Sequence, residues 1–203
     1  MNITDTTRIR CKGCGLYKGI CICRHIVKNS LSTRLTLLIH SMELRKVSNT
    51  GRLARLCLEN SAMFIRGKKG IVWNENEILP GGYEHRILFP NANQVLTPDM
   101  RLINGKPINL IVPDGNWHQA KRMIISEPYL QKIKRVKLVP RPSVHHYVRK
   151  AAAPGKVSTL EAVARAYGLL ENTEIQNQLE NVLTAMNEKL NKIRGYRPGQ
   201  FEE

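Results

Sequence analysis

The chain has 203 residues, 42% of them hydrophobic, enough for one sizeable domain plus an appendage with a real core. Lys and Arg number 32 against 16 Asp and Glu, and the net charge of +16 points to a polyanion, nucleic acid first and an anionic membrane surface second. No stretch approaches the ~20 apolar residues of a membrane span, and Met1 to Arg10 is polar with no signal-peptide core. A cytoplasmic chain is therefore expected, with five cysteines that serve as metal ligands or core residues rather than disulfides.

Four of those cysteines, Cys11, Cys14, Cys21 and Cys23, form C-x2-C-x6-C-x-C with Gly13, Gly15 and Gly19 between them. Four thiolates suit a closed tetrahedral zinc site of the structural kind; a redox pair or free thiols are the alternative. Arg8, Arg10, Lys12, Lys18 and Arg24 make this knuckle basic and suited to a phosphate backbone.

Leu35 to Ile39 reads as a strand running into His40-Ser41-Met42-Glu43. His40 is a candidate base or, more simply, a hydrogen-bonded residue at a strand end. Ser48-Asn49-Thr50-Gly51 leads into a helix with Leu53, Leu56, Cys57 and the adjacent Leu58 as its apolar face, capped by Asn49 or Thr50. Its first amides, with Arg45, Lys46, Arg52 and Arg55, offer an anion site; an ordinary capped surface helix is the competing reading. Cys57, alone on an apolar face, is most simply core.

Ala62 to Ile65 is a second strand, followed by Arg66, Lys68 and Lys69 in a glycine-bearing turn. Pro80-Gly81-Gly82 is another turn. Arg86 to Phe89 is a strand closed by Pro90-Asn91-Ala92-Asn93. Ile108, Leu110, Ile111 and Val112 predict a buried strand that Pro113 ends. Asp114, Gly115 and Asn116 are turn formers, and a helix begins at Trp117, with Ala120, Met123 and Ile124 at helical spacing. Asp114 thus falls where a buried strand gives way to a helix, the end of the sheet at which α/β folds bind ligands. There it is a ligand for ribose, a general base, or only a helix cap.

Val136 to Val139 is the next strand, with Lys132, Lys134, Arg135, Lys137 and Arg141 around it. Residues 140–157 have no period and carry His145, His146, Arg149 and Lys150, the character of a binding loop. Ser158-Thr159-Leu160-Glu161 is a capping box for a helix reaching Leu170, with Leu160, Val163, Ala164 and Tyr167 inward. Ile175, Leu179, Val182, Leu183, Met186, Leu190 and Ile193 make a final amphipathic helix, and a charged tail runs from Arg194. Strands alternating with helices predict an α/β fold with a largely parallel sheet. The glycine fingerprints of Rossmann and P-loop nucleotide sites are absent, as is a Gly-x-Ser-x-Gly elbow.

These pieces form an ordered set. It begins with the Cys11-Cys14-Cys21-Cys23 cluster, His40-Ser41-Met42-Glu43 with Lys46, and Ser48-Asn49-Thr50-Gly51-Arg52-Leu53. Leu88-Phe89-Pro90, Asp114-Gly115-Asn116-Trp117 with Gln119-Ala120, and Ser158-Thr159-Leu160-Glu161-Ala162 complete it. From Cys11 to about Leu170 the set resembles the DTW-domain family, the tRNA-uridine aminocarboxypropyltransferases. The family's Asp-x-Thr-Trp motif has Asn116 at its third position here, and Ser41 stands where Pro is common.

The resemblance implies a SPOUT-like sheet with a C-terminal knot. The expected domains are the basic four-cysteine zinc knuckle, residues 1–30, and a SPOUT-like catalytic domain of the family with C-terminal helices, residues 31–203. The resemblance implies S-adenosylmethionine as co-substrate, beside the structural zinc. The 3-amino-3-carboxypropyl group would pass to N3 of a tRNA uridine (acp3U formation), releasing methylthioadenosine. Phe89, Pro90, Pro113, Asp114, Gly115, Asn116 and Thr159 are the expected cofactor-binding residues. Asp114 is the candidate acceptor of the N3 proton. Trp117 is expected to stack on a flipped-out uracil or to anchor its helix. Arg45, Lys46, Arg52, Arg55 and Lys121 are the expected RNA contacts. tRNA is the expected partner, with no membrane and no obligate protein partner. Two competing readings are a SPOUT-like RNA methyltransferase, which would release S-adenosylhomocysteine, and a non-catalytic zinc-bearing RNA-binding protein, which would not bind the cofactor.

Overall fold

The structure, a computed structural model, describes residues 9–68, 70–141 and 157–193. Lys69, the stretch with His145 and His146, and the tail from Arg194 lie outside the described residues, and the expected C-terminal knot falls on residues 142–156, which lie outside them too. Among the described residues no helix is long and apolar enough to cross a membrane.

Among the described residues, seven strands, seven α-helices and a 3-10 helix at Pro98–Arg101 follow the two 3-10 turns of the knuckle, Lys18–Ile20 and Cys23–His25. In chain order they are β1 (Arg34–His40), α1 (Ser41–Leu44), α2 (Gly51–Cys57), β2 (Ser61–Arg66), α3 (Glu75–Ile78), β3 (Glu84–Leu88), β4 (Gln94–Val95) and β5 (Leu102–Ile103). Then come β6 (Lys106–Asp114), α4 (Trp117–Ile125), α5 (Pro128–Gln131), β7 (Arg135–Lys137), α6 (Thr159–Leu170) and α7 (Thr173–Ile193). The strands lie in the order β2-β1-β6-β3-β7-β4, all parallel, with β5 antiparallel to the start of β6. The largely parallel α/β sheet expected from the sequence is present.

Side-chain alternation along the two central strands decides what lies on each face. Leu35, Leu37 and Ile39 of β1, with Ile108, Leu110 and Val112 of β6, pack under α2, α6 and α7. Leu38 and Ile111 face the other way, against α3, α4 and α5. Asp114 continues the first set, two residues beyond Val112. From β1 the chain leaves to α2 on one face; from β6 it leaves to α4 on the other. The carboxyl ends of these adjacent strands form the topological switch of the sheet, and Asp114 stands at it, paired in register with Ile39.

Some boundaries differ from the sequence reading. Pro113 does not end its strand; β6 runs through it to Asp114. Pairing with β3 has stopped at Ile111, so β6 is held on one side only, by β1, and a residue without an N–H is tolerated there. Leu58 lies past the end of α2 as its C-cap residue and is buried. Phe89 follows β3 rather than ending it, and β7 stops at Lys137, leaving Val139 exposed. The β5–β6 hairpin turns on Asn104 (φ 53°) and Gly105 (φ 72°), the left-handed pair of a type I′ turn, which Asn-Gly supplies at little cost.

Candidate active site and metal centre

Asp114 is buried at 7% exposure, and both of its oxygens are held by side chains. Asn49, just before α2, donates from Nδ2 to Oδ2 at 2.8 Å. Thr159, the first residue of α6, donates from its hydroxyl to Oδ1 at 2.6 Å. The Asn49 amide cannot flip freely, because its Oδ1 accepts the Arg52 N–H at 2.9 Å. Its Nδ2 must therefore face the carboxylate. Thr50 adds a further tie between the two helices, its hydroxyl accepting the Leu160 N–H at 3.4 Å. Gly51 is required by this closeness: a Cβ there would lie 2.4 Å from Asp114 Oδ2.

Burial pushes the Asp114 carboxyl above its ordinary pKa, and the donors Thr159 and Asn49 act against that rise without cancelling it. Glu43 pushes it further up and Lys46 pulls it down. A carboxylate with raised proton affinity at the end of a buried strand is the setting a general base needs. The helix-cap role is excluded, because α4 is capped by Asn116. The Asn116 side chain accepts the Gln119 N–H at 2.9 Å, and the Gln119 side chain accepts the Asn116 N–H at 2.8 Å. Asn caps at least as well as Thr, so the departure from Asp-x-Thr-Trp keeps the turn. Gly115 serves the same turn: a Cβ there would lie 2.9 Å from Gln119 Cβ.

Trp117, 40% exposed, stacks on buried Phe89 with ring centroids 5.0 Å apart and planes at 29°. Pro90 is exposed beside them in sequence, and Pro113 is half-buried. The structure thus joins Asp114 directly to Thr159, and Phe89 to Trp117. Asn49 is a partner of Asp114 that sequence reasoning missed, since it was read only as a cap. His40 caps α1, its Nδ1 accepting the Met42 N–H at 3.3 Å, which agrees with the structural reading. Ser41, where the family often has Pro, donates to the Gly67 carbonyl at 3.0 Å.

The α2 amides of Arg52, Leu53 and Ala54 are engaged by Asn49 Oδ1 and the Thr50 carbonyl, the pattern of an ordinary capped helix. Of the expected RNA contacts, Arg45 and Arg55 are exposed, Lys46 pairs with Glu43, and Arg52 is half-buried. Lys121 is exposed on α4, which packs on the other face of the sheet from α2.

The four cysteine sulfurs lie within 4.8 Å of one another. Cys11 Sγ is 3.5 Å from both Cys21 Sγ and Cys23 Sγ, and Cys14 Sγ is 3.8 Å from Cys21 Sγ. A tetrahedral zinc with bonds of ~2.3 Å needs sulfurs roughly 3.8 Å apart, so the donor set fits the ion. Backbone N–H groups of Cys14 and Gly13 hold the Cys11 thiol down, to about 6, whereas burial and the neighbouring thiols push Cys23 up, to about 12, and Cys21 also lies above its ordinary value, so a cation is what would bring all four to thiolates together. Gly13 is needed here, because a Cβ would lie 2.8 Å from Cys23 Sγ. Cys57 is buried core, its thiol pushed up to about 12 by burial.

Residues 8–191 match the model of the DTW domain. The chain belongs to the DTW domain family. Its relatives include tRNA-uridine aminocarboxypropyltransferase 2 of Drosophila melanogaster, 25% identical over 171 residues, covering 81% of this chain and 68% of that protein. The protein of the same name in Macaca fascicularis is 27% identical over 186 residues, covering 88% of this chain and 62% of its own length. The chain therefore spans about two thirds of the length of these relatives. A solved structure, the SAM-dependent rRNA:acp-transferase Tsr3 from Vulcanisaeta distributa, is similar at a TM-score of 0.48 and 21% identity, over 80% of this chain and 79% of that one.

Proposed function

We propose that this DTW-domain chain transfers the 3-amino-3-carboxypropyl group of S-adenosylmethionine to N3 of a uridine in tRNA. The observation that carries the reading is the buried Asp114 carboxylate, gripped by Asn49 and Thr159 at the switch point of the sheet. The names of the relatives supply the substrate class, and the net charge of +16 suits a polyanion.

The co-substrate supplies a sulfonium whose attached carbons are all electrophilic, so the site selects the product by the carbon it holds in line with the nucleophile. Uridine N3 is a weak nucleophile until its proton leaves. Asp114 takes that proton as the N3–carbon bond forms and the carbon–sulfur bond breaks, the electron pair leaving on sulfur in methylthioadenosine. Asp114 then returns the proton to water. Trp117, braced on one side by Phe89, offers its exposed ring surface to a base taken out of its stack.

The test is incubation with uridine-containing tRNA and co-substrate labelled in the carboxypropyl group, read by nucleoside mass spectrometry. Labelled acp3U with an equal amount of methylthioadenosine is the expected result. S-adenosylhomocysteine as the by-product, or no co-substrate binding at all, would overturn the reading.

Binding to tRNA should be strongly salt-dependent. With about four phosphates neutralised, counterion release predicts a ~10²-fold loss of affinity between about 50 and 200 mM salt. Filter binding across that range checks it, and a flat profile contradicts it.

A further inference from the structure

Arg52 reaches from the active-site side of α2 into the knuckle. Its guanidinium lies against Gly15 so closely that a Cβ there would fall 2.1 Å from Cζ. Gly15 has φ +71°, a conformation that keeps the site free of a side chain. Arg52 Nε and Nη2 are buried without a hydrogen-bond acceptor among the described residues. Burial weakens the guanidinium's hold on its proton, Arg10 adds repulsion, and Cys14, a wholly buried ligand cysteine, acts in the opposite sense. A guanidinium withdrawn from water beside another cation is unfavourable unless negative charge faces it. The knuckle provides that charge when loaded, because a divalent ion on four thiolates carries two net negative charges. By contrast, Arg10 donates to the Arg45 carbonyl and is exposed.

We propose that Arg52 is the counter-cation of the tetrathiolate centre, a positioning residue for the metal rather than a contact to RNA phosphate. The inference rests on the zinc reading of the knuckle and not on the transferase reading. The backbone N–H of the same residue holds Asn49, which holds Asp114, so the metal centre and the active site meet at one residue.

The test measures zinc affinity of the full chain by competition with a chromophoric chelator, after circular dichroism shows each variant folded. Arg52→Met should lower zinc affinity by ~10-fold or more, the usual scale for loss of a group that supports metal ligands. Arg52→Lys, which keeps the charge, should recover most of it. Arg52→Gln serves if Arg52→Met does not fold, and should show the same loss. The salt slope of tRNA binding should match the native chain in each variant. Zinc affinity within twofold of native in the uncharged variants would overturn the proposal. So would a tRNA salt slope reduced by about 0.7 to 0.9, the mark of one lost phosphate contact. Neither readout depends on turnover, so failure here is distinct from failure of the proposed reaction.

Discussion

Asp114→Asn is expected to lower turnover by ~10²-fold or more, the usual scale of acid–base catalysis, in a chain that still folds. The variant side chain fits the cradle. Asn49 is locked with Nδ2 toward position 114, so the new amide must turn its oxygen to Asn49 and its NH2 to Thr159. The Thr159 hydroxyl can rotate and accept it. Stability should not fall at neutral pH, and the sign follows from linkage. The folded state raises the Asp114 pKa above its ordinary value, so the fold holds the proton more tightly than the unfolded chain does. Stability contributed by that proton is present at low pH and is lost as pH rises through the folded pKa. Above that window the ionised buried carboxylate is a cost, which Asn removes. Co-substrate and tRNA binding should change much less than turnover, because the lost interaction belongs to the transition state. Single-turnover kinetics at saturating S-adenosylmethionine, with a direct titration and a melting curve, tests all three points. Near-native turnover in the folded variant would end the general-base assignment. Binding lost in proportion to rate would instead make Asp114 a ligand of the co-substrate.

The sequence signal was strongest where burial and period agreed. The β-branched run Ile108 to Val112, the period of α6 and α7, and the cysteine spacing each carried enough information to place an element. Asp114 was found because strand, turn and helix signals meet at one residue. Its partners were harder to read. Asn49 lies 65 positions away and Thr159 lies 45, and nothing local to either residue says which carboxylate it will meet. That pairing depends on α2 and α6 crossing the same face of the sheet, which is tertiary information. Two local signals were available and unused. Asn104-Gly105 announces the β5–β6 hairpin. Asn116 with Gln119 three residues on is a capping pattern, and it settles that Asp114 is not the cap. The short strands β4 and β5, two residues each, have no period to detect, so only the sheet defines them.

Stripping the metal should destabilise the whole domain and not only the knuckle. Cys14, Leu16, Ile20 and Ile22 are buried in the same apolar cluster as Leu35, Leu37 and Leu110 of the central strands and Leu179 and Val182 of α7. The knuckle is short of regular structure: two 3-10 turns, with an isolated bridge from Arg10 to Tyr17. Among its described residues it has no ladder to hold Leu16, Ile20 and Ile22 in place, so the ion must fix the loops that carry them. Fully burying such a side chain contributes ~1.5–3 kcal/mol. Losing two of the three would lower stability by roughly 4 kcal/mol, or about 10 °C in Tm for a chain of this size. Treatment with a strong chelator under reducing conditions should therefore shift a single, still cooperative melting transition downward by about that amount, and added zinc should restore it. Cys14→Ser should behave like the stripped chain, because it removes the one ligand that is wholly buried. Differential scanning calorimetry with elemental analysis measures both. A melting curve unmoved by chelation, in a preparation shown to have lost its metal, would mean that core packing alone holds the knuckle.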